Sequence, residues 1–99
     1  ALSIIDRKRS NNKMYYVYLL KDPSRKWIYI GYTNNLKRRL QEHREGKNLT
    51  TKKFSSIELV YYEAYRSSDE AKDRESKLKQ YGNSLGQLKK RINRSLLSA

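Results

Sequence analysis

The sequence contains no cysteine, one proline and four glycines among its 99 residues. Without cysteine, neither a disulfide framework nor a zinc site built on thiolates can form. No apolar run approaches the roughly 20 residues that a membrane-spanning helix needs, and no signal-peptide core is visible. The composition therefore predicts a soluble protein, which we expect in the cytoplasm, and the length predicts a single domain with a modest core.

Acidic residues are also scarce. The 10 Asp and Glu residues stand against 23 Lys and Arg residues, which gives a formal net charge of +13. Self-repulsion of this size is usually tolerated because the partner is polyanionic. Nucleic acid is the first candidate for that partner and an anionic membrane surface is the second, although a basic protein with neither partner could have the same composition.

Three runs rich in tyrosine and aliphatic residues predict β-strands, at residues 15–20, 27–32 and 57–65. Residues 1–13 have no sustained periodicity and predict a flexible basic leader. Residues 14–97 predict one domain, because no linker or internal repeat interrupts them. With three helices between and after the strands, the element order is ββαβαα.

The segment Asp22-Pro23-Ser24-Arg25 between the first two strands has the chemistry of a type I turn. If this turn closes a hairpin symmetrically, Tyr18 lies opposite Tyr29 and both phenols share one face of the sheet. Tyr16 would then lie opposite Gly31. The other face collects aliphatic residues and predicts the core: Val17, Leu19, Ile28 and Ile30.

The first helix, predicted over about residues 34–45, has an unusual inward stripe. Leu36 and Leu40 mark its apolar side, and four-residue steps place Arg39 and His43 on or beside the same stripe. A guanidinium and an imidazole are poor core residues. Arg39 could extend its head to water, and His43 alone could be a structural histidine.

Two further helices are predicted after the third strand. The second covers roughly residues 68–81, and Ser67 with Glu70 forms the capping-box pattern at its start. Ser84 with Gln87 repeats this pattern for the third helix, whose apolar stripe is expected to dock on the sheet: Leu85, Leu88, Ile92 and Leu96.

The second helix carries a carboxylate on its apolar side. Glu75 lies between Ala71 and Leu78 at helical spacing. A carboxylate in that position must be paired, protonated or bound to metal, because bare burial costs several kcal/mol. The alternative to a metal is an ion pair at the rim with Lys72 or Lys79.

These residues together meet the requirements of phosphodiester hydrolysis. A carboxylate can hold a divalent cation, a guanidinium can neutralise charge that develops on phosphorus, and a phenol or imidazole can position and deprotonate water. A single suitable carboxylate predicts one metal ion, Mg²⁺ or Mn²⁺. The candidate catalytic residues are Tyr18, Tyr29, Arg39, His43 and Glu75, with Glu75 as the metal ligand, and the choice of general base among the first two and His43 remains open.

The same residues resemble the motifs of the GIY-YIG endonuclease superfamily, in its small single-domain, excinuclease-C-like branch. Tyr16-Val17-Tyr18 is similar to the first motif, with Tyr16 in place of glycine, and Tyr29-Ile30-Gly31 is the second motif unaltered. YIGYTNNLKRRLQEH and EAKDRESKLKQ resemble the segments that carry the family arginine, histidine and glutamate. No family asparagine aligns; Asn83 and Asn93 are candidates by order alone.

The resemblance implies a mixed α/β (α+β) sandwich with a central three-stranded antiparallel sheet, and a divalent-metal-dependent DNA endonuclease. Without a separate DNA-binding domain, we expect selection of DNA structure rather than sequence. We expect a monomer or weak homodimer, and a targeting partner protein is an open question. Basic residues are expected to hold the DNA backbone: Lys37, Arg38, Lys47, Lys52, Lys53, Lys89 and Lys90.

Two other functions compete with the nuclease. A basic nucleic-acid-binding module on the same fold would need no catalysis, and RNA is not excluded as the ligand or substrate. Association with a membrane surface through the third helix is weaker, because its apolar stripe lacks Trp and Phe and is better suited to docking on the sheet.

Overall fold

The computed structural model describes residues 13–52 and 56–98. Most of the expected leader and Lys53 therefore lie outside the described residues. The described chain forms three strands and four helices: β1 (Tyr15–Lys21), β2 (Ile28–Thr33), α1 (Leu36–Arg44), β3 (Glu58–Tyr65), α2 (Ser68–Lys79), α3 (Asn83–Arg91) and α4 (Asn93–Leu97). This order confirms the expected α+β architecture, with the third helix interrupted at Ile92. No helix within the described ranges is long and apolar enough to cross a membrane.

The three strands form one antiparallel sheet in the order β2-β1-β3. The turn at Asp22 is confirmed, because Arg25 N–H donates to Asp22 O over 2.9 Å and Ser24 N–H donates to Asp22 Oδ1 over 2.9 Å. The predicted hairpin register is wrong by two residues. Lys21 pairs with Ile28 rather than with Lys26, so that Tyr18 lies opposite Gly31.

The size of the Tyr18 ring explains the observed register. The ring lies over Gly31, and a Cβ atom at residue 31 would overlap Tyr18 Cζ and Oη. Glycine opposite Tyr18 therefore makes room for the phenol, which is a close approach that no other residue permits. A shift of two residues preserves the faces of a strand, so Tyr18 and Tyr29 still share one face.

The opposite face of the sheet holds the aliphatic core, as predicted. Val17, Leu19, Ile28 and Ile30 are buried there against α2 and α3. The helices contribute Ala71, Leu78, Leu85 and Leu88 to the same cluster, and Ile92 and Leu96 pack at its edge. The apolar stripe of the third predicted helix therefore docks on the sheet.

The helix starts differ from prediction at two places. The N-cap of α1 is Asn35, whereas the predicted helix began at Asn34. The Asn35 side chain accepts from Arg38 N over 3.0 Å, and the Asn35 N–H donates to Thr33 Oγ1. The Ser84 cap is also wrong: a tight turn through Tyr81, with φ 55, starts α3 already at Asn83.

Two other helix ends agree with prediction. Ser67 caps α2 and its hydroxyl accepts from Glu70 N over 3.2 Å. Gly46, with φ 74, follows α1 in the left-handed conformation that ends helices, and its N–H donates to His43 O over 3.0 Å. This end holds His43 in the last turn of α1, above the sheet.

Candidate active site

Three of the predicted site residues form an aromatic cluster between the sheet and α1. The ring centroids of Tyr18 and Tyr29 are 6.2 Å apart, and those of Tyr29 and His43 are 5.0 Å apart. The His43 ring meets Tyr18 edge to face at 5.7 Å. The residues arrive from β1, β2 and α1, so the convergence is a product of the fold.

Tyr18 and His43 form the buried layer of this cluster, with relative exposures of 0% and 1%. The Tyr18 hydroxyl lies 2.9 Å from His43 Nε2, and His43 Nδ1 lies 2.7 Å from Thr51 Oγ1. Burial, assisted by the nearby Arg39 charge, lowers the pKa of His43 from 6.5 to about 4. The imidazole is therefore neutral at physiological pH.

The contacts of Asn48 indicate which nitrogen of His43 carries the proton. Its Oδ1 accepts the backbone N–H groups of Thr50 and Thr51 over 2.9 and 3.0 Å, so its amide orientation is fixed. The Thr51 hydroxyl donates to the same oxygen over 3.4 Å. With the Thr51 hydroxyl directed at Asn48, we assign the proton to His43 Nδ1, which then donates to Thr51 Oγ1 and leaves Nε2 to accept from Tyr18.

The hydrogen bonds that link His43, Thr51 and Asn48 extend to Tyr29 on the sheet. Asn48 Nδ2 donates to the Tyr29 hydroxyl over 3.4 Å. Asn48 and Thr51 thus contact the site, although neither was among the residues that the sequence predicted for it. The available signal was the pattern Asn48-Leu-Thr50-Thr51, because asparagine commonly accepts backbone N–H groups two residues on.

Arg39 lies at the boundary between this cluster and solvent. Its side chain is 30% exposed and its Nη1 donates to Glu42 Oε1 over 2.9 Å. Burial raises the pKa of Tyr18 well above its usual value, and the nearby Arg39 guanidinium opposes that rise. Tyr18 is therefore a neutral phenol that donates to His43, while Arg39 supplies the positive charge at the surface.

Glu75 lies on α2, with its carboxylate 3.0 Å from Lys79 Nζ. This is the rim ion pair that the sequence allowed, and the Glu75 side chain remains 22% exposed. Lys79 also lines a cleft of about 340 Å³ together with Tyr29, Thr50 and Tyr81. The structure therefore brings Tyr18, Tyr29, Arg39 and His43 together. Glu75 is not among the residues that line the cleft, whereas its ion-pair partner Lys79 is.

No group of three or more His, Cys, Asp or Glu side chains suited to a metal occurs within residues 13–52 and 56–98. Glu63, another partly buried carboxylate, is occupied: Arg74 donates to both of its oxygens, and the Tyr61 and Tyr65 hydroxyls donate as well. Glu75, whose ion-pair partner is Lys79, stays the candidate ligand that its position on the helix predicted. A single carboxylate suits Mg²⁺, which keeps several waters and takes further ligands from substrate phosphate.

The predicted DNA-contacting residues fall on two sides of the molecule. Lys37 and Arg38 are exposed on α1, and Lys47 and Lys52 follow it, so these four lie on the side of the aromatic cluster. Lys89 and Lys90 are exposed on α3, which packs against the aliphatic face. The structure does not bring these two groups together.

Comparison with known proteins identifies one family. Residues 14–94 match the GIY-YIG catalytic domain. A UPF0213 protein of Bacillus velezensis is 36% identical over 72% of this chain and 70% of its own length. A UPF0213 protein of Oceanobacillus iheyensis is 36% identical over 70% of this chain and 80% of its own length. The UPF0213 protein YazA of Bacillus subtilis is 40% identical over 63% of this chain and 61% of its own length.

No solved structure matches the chain significantly. The family match nevertheless spans the three strands and all helices except the end of α4. It also contains the two tyrosines, the arginine, the histidine and the glutamate that the sequence predicted as a site. On these grounds the chain belongs to the GIY-YIG family of nucleases.

Proposed function

We propose that this protein is a divalent-metal-dependent endonuclease that hydrolyses DNA phosphodiester bonds and selects DNA structure rather than sequence. One observation carries the proposal: partly exposed Tyr29 and Arg39 lie over a buried Tyr18–His43 pair, beside a cleft that also contains the ion-pair partner of Glu75. Family membership supports the reaction class.

Arg39 is assigned to the scissile phosphate. A guanidinium matches two phosphate oxygens at once and stabilises charge as it builds in the transition state. Glu42 holds Arg39 by a 2.9 Å hydrogen bond, which limits the conformations of a long side chain before substrate arrives. Preorganised charge of this kind supplies much of the rate enhancement of phosphoryl transfer.

Exposure separates the roles of the two tyrosines. Tyr29 lines the cleft and can meet a water, whereas Tyr18 is fully buried behind it. Tyr29 therefore orients the attacking water. As the water attacks phosphorus and the P–O bond to the leaving oxygen breaks, the proton of the water passes to the Tyr29 hydroxyl, which releases its own proton to solvent in the cleft. Tyr18 and His43, held neutral by burial, position the Tyr29 ring.

Nucleases of this family generally use a divalent metal, and Glu75 is the residue that would hold it here. The bound ion would stabilise the negative charge on the phosphate and on the leaving oxygen. The Glu75 carboxylate forms an ion pair with Lys79, so a divalent cation would have to replace Lys79 as the partner of Glu75. The remaining site residues act on the phosphate and the water, as described above.

The proposal is tested by cleavage of labelled linear, nicked, flapped and four-way-junction DNA and of single-stranded RNA, each with Mg²⁺, Mn²⁺ or EDTA. We expect cleavage that needs the metal and favours one DNA structure. Glu75→Gln should abolish cleavage, while the dissociation constant of the protein–DNA complex should change little. Asp73→Asn is the matched control, because it removes one negative charge from the exposed side of the same helix.

Salt-sensitive binding of the same nucleic acids without cleavage, in the wild type and Glu75→Gln alike, would contradict the proposal. That result would favour the binding module instead, with Glu75 kept as a partner of Lys79. Cleavage of the RNA alone would contradict the assignment of DNA as substrate.

A further inference from the structure

A second groove lies beside the aromatic cluster, on the same side of the sheet. It has a volume of about 550 Å³, and its floor is formed by the rings of Tyr16 on β1 and Tyr62 on β3. These rings meet edge to face at 6.0 Å with an interplanar angle of 63°. Leu36 and Leu40 of α1 form its wall.

The groove lies next to the candidate active site. Tyr16 precedes Tyr18 by two residues on the same face of β1, which is a distance of roughly 7 Å along a strand. Tyr62 pairs with Tyr18 across β1 and β3. The helix that provides the leucine wall also carries Arg39 and His43. A nucleic-acid strand with a phosphate at Arg39 would therefore place a neighbouring nucleotide at this groove.

The chemistry of the groove fits a nucleobase. Tyr62 is 51% exposed, so about half of its surface is open to a ligand. Base stacking on such rings tolerates any sequence, because every base has a π face. Lys13 and Lys37 line the groove, and its lining contains no Asp or Glu side chain among the described residues. The charge thus suits a strand that carries phosphates on both sides of the base.

We infer that the groove between Tyr16 and Tyr62 binds an unpaired nucleobase next to the scissile phosphate. The inference rests on the proposed function for the position of that phosphate. It adds a base contact that depends on stacking, in a protein whose other expected contacts are with the backbone. It also supplies a physical reason for structure selection, because a base must be free of its partner before it can enter.

The test measures binding in EDTA, so that no cleavage is needed. The probes are a fluorescein-labelled single-stranded thymidine oligonucleotide and the same strand with abasic residues, which keeps every phosphate. We expect tighter binding of the strand with bases. Tyr62→Ala should weaken that binding by roughly 5- to 100-fold, as expected for loss of one stacked base, and should leave the abasic strand nearly unaffected.

Two further variants separate stacking from charge. Tyr62→Phe keeps the ring and should retain the preference for bases. Lys37→Gln should weaken both strands equally and reduce the dependence of binding on salt. A blunt duplex of the same sequence shows where the bound base comes from. If Tyr62→Ala weakens binding of the single strand alone, the groove takes a base that is already unpaired. If it weakens binding of the duplex as well, the protein draws a base out of the double helix.

Equal affinity for the two single strands, or a base preference that Tyr62→Ala leaves unchanged, would overturn the inference. This failure is distinct from failure of the proposed function. A base preference that depends on Tyr62 in a protein that cuts none of the substrates would leave the groove assigned and the nuclease contradicted. Cleavage by a protein that shows no base preference would support the nuclease and contradict the assignment of the groove.

Discussion

The two faces of the sheet bury side chains equally well but by different means. β1 contributes Val17 and Leu19 to one face and Tyr18 and Leu20 to the other, and all four have 0% exposure. On the α2 side, aliphatic side chains fill space without any polar requirement. On the α1 side, burial of Tyr18 and His43 depends on a chain of hydrogen bonds through Thr51 and Asn48.

One small domain can thus place its core and its candidate active site on opposite faces of a single sheet. Aliphatic contacts are numerous and individually replaceable, so the α2 side can provide most of the stability. A buried polar network fails when one member is removed, because the remaining groups lose their partners. We therefore expect substitutions of the aliphatic core residues on the α2 side to change stability alone, and substitutions of the buried polar residues on the α1 side to change protonation and chemistry as well.

The largest expected effect is on the aliphatic face. Leu19→Ala removes a fully buried side chain at the centre of the core and should lower the free energy of unfolding by about 2–5 kcal/mol. Urea denaturation followed by circular dichroism measures this loss. Leu97→Ala is the control, since that leucine is 76% exposed and its truncation should change stability little. Equal losses in the two variants would contradict the location of the core.

The polar face should make the free energy of unfolding depend on pH. The unfolded chain protonates His43 near pH 6.5, whereas the folded chain does so only near pH 4. The unfolded state therefore holds more protons between these values, and the free energy of unfolding should fall by up to about 3 kcal/mol as the pH is lowered from 6.5 to 4. Above pH 6.5 this contribution is constant.

NMR titration checks the pH prediction directly, because His43 is the only histidine in the chain. Its ring resonances should titrate near pH 4 in the folded protein. A titration near pH 6.5 would show that the imidazole is not held in its neutral form by burial and Arg39. Urea denaturation at several pH values then tests whether stability follows the same protonation.

A smaller effect is expected from Thr51. Thr51→Val keeps the shape of the side chain but removes the oxygen that accepts His43 Nδ1–H, and should lower the free energy of unfolding by about 1–3 kcal/mol. The proton should also move to Nε2, which can then no longer accept from Tyr18. Nitrogen-15 chemical shifts of the His43 ring report this change of tautomer.

Thr51→Ser separates the hydrogen bond from packing. Serine restores the hydroxyl without the methyl group, so it should retain the Nδ1–H tautomer and any cleavage activity better than valine does. If the valine and serine variants showed the same ring nitrogen shifts, the tautomer would not depend on Thr51.

The sequence predicted the two faces because strand alternation survives an error in register. Tyr18 and Tyr29 share a face at either register, since a two-residue shift does not exchange the faces. The register itself could not be predicted from turn chemistry, although the turn at Asp22 is correct. It depends on the fit of the Tyr18 ring over Gly31, which is a contact between strands.

The polar network was predicted only in part for a similar reason. Arg39 and His43 follow from helical periodicity, which is local information. The partners of His43 come from the loop after α1, where no periodicity indicates which side chain points inward. Glu75 was identified by its spacing on α2, but spacing alone could not decide between a free carboxylate and the observed pair with Lys79.

The smallest expected effect concerns that ion pair. Lys79 is half exposed, and pairs of this kind contribute about 0.2–1 kcal/mol. If Glu75 must leave Lys79 to bind a divalent cation, Lys79→Met should lower the Mg²⁺ concentration needed for half-maximal cleavage by roughly two- to five-fold. Lys77→Met is the matched control, because it removes a positive charge from the exposed side of the same helix. An equal change in both variants would indicate a general effect of charge, and an increased Mg²⁺ requirement in Lys79→Met alone would mean that Lys79 assists the cation site instead of competing for it.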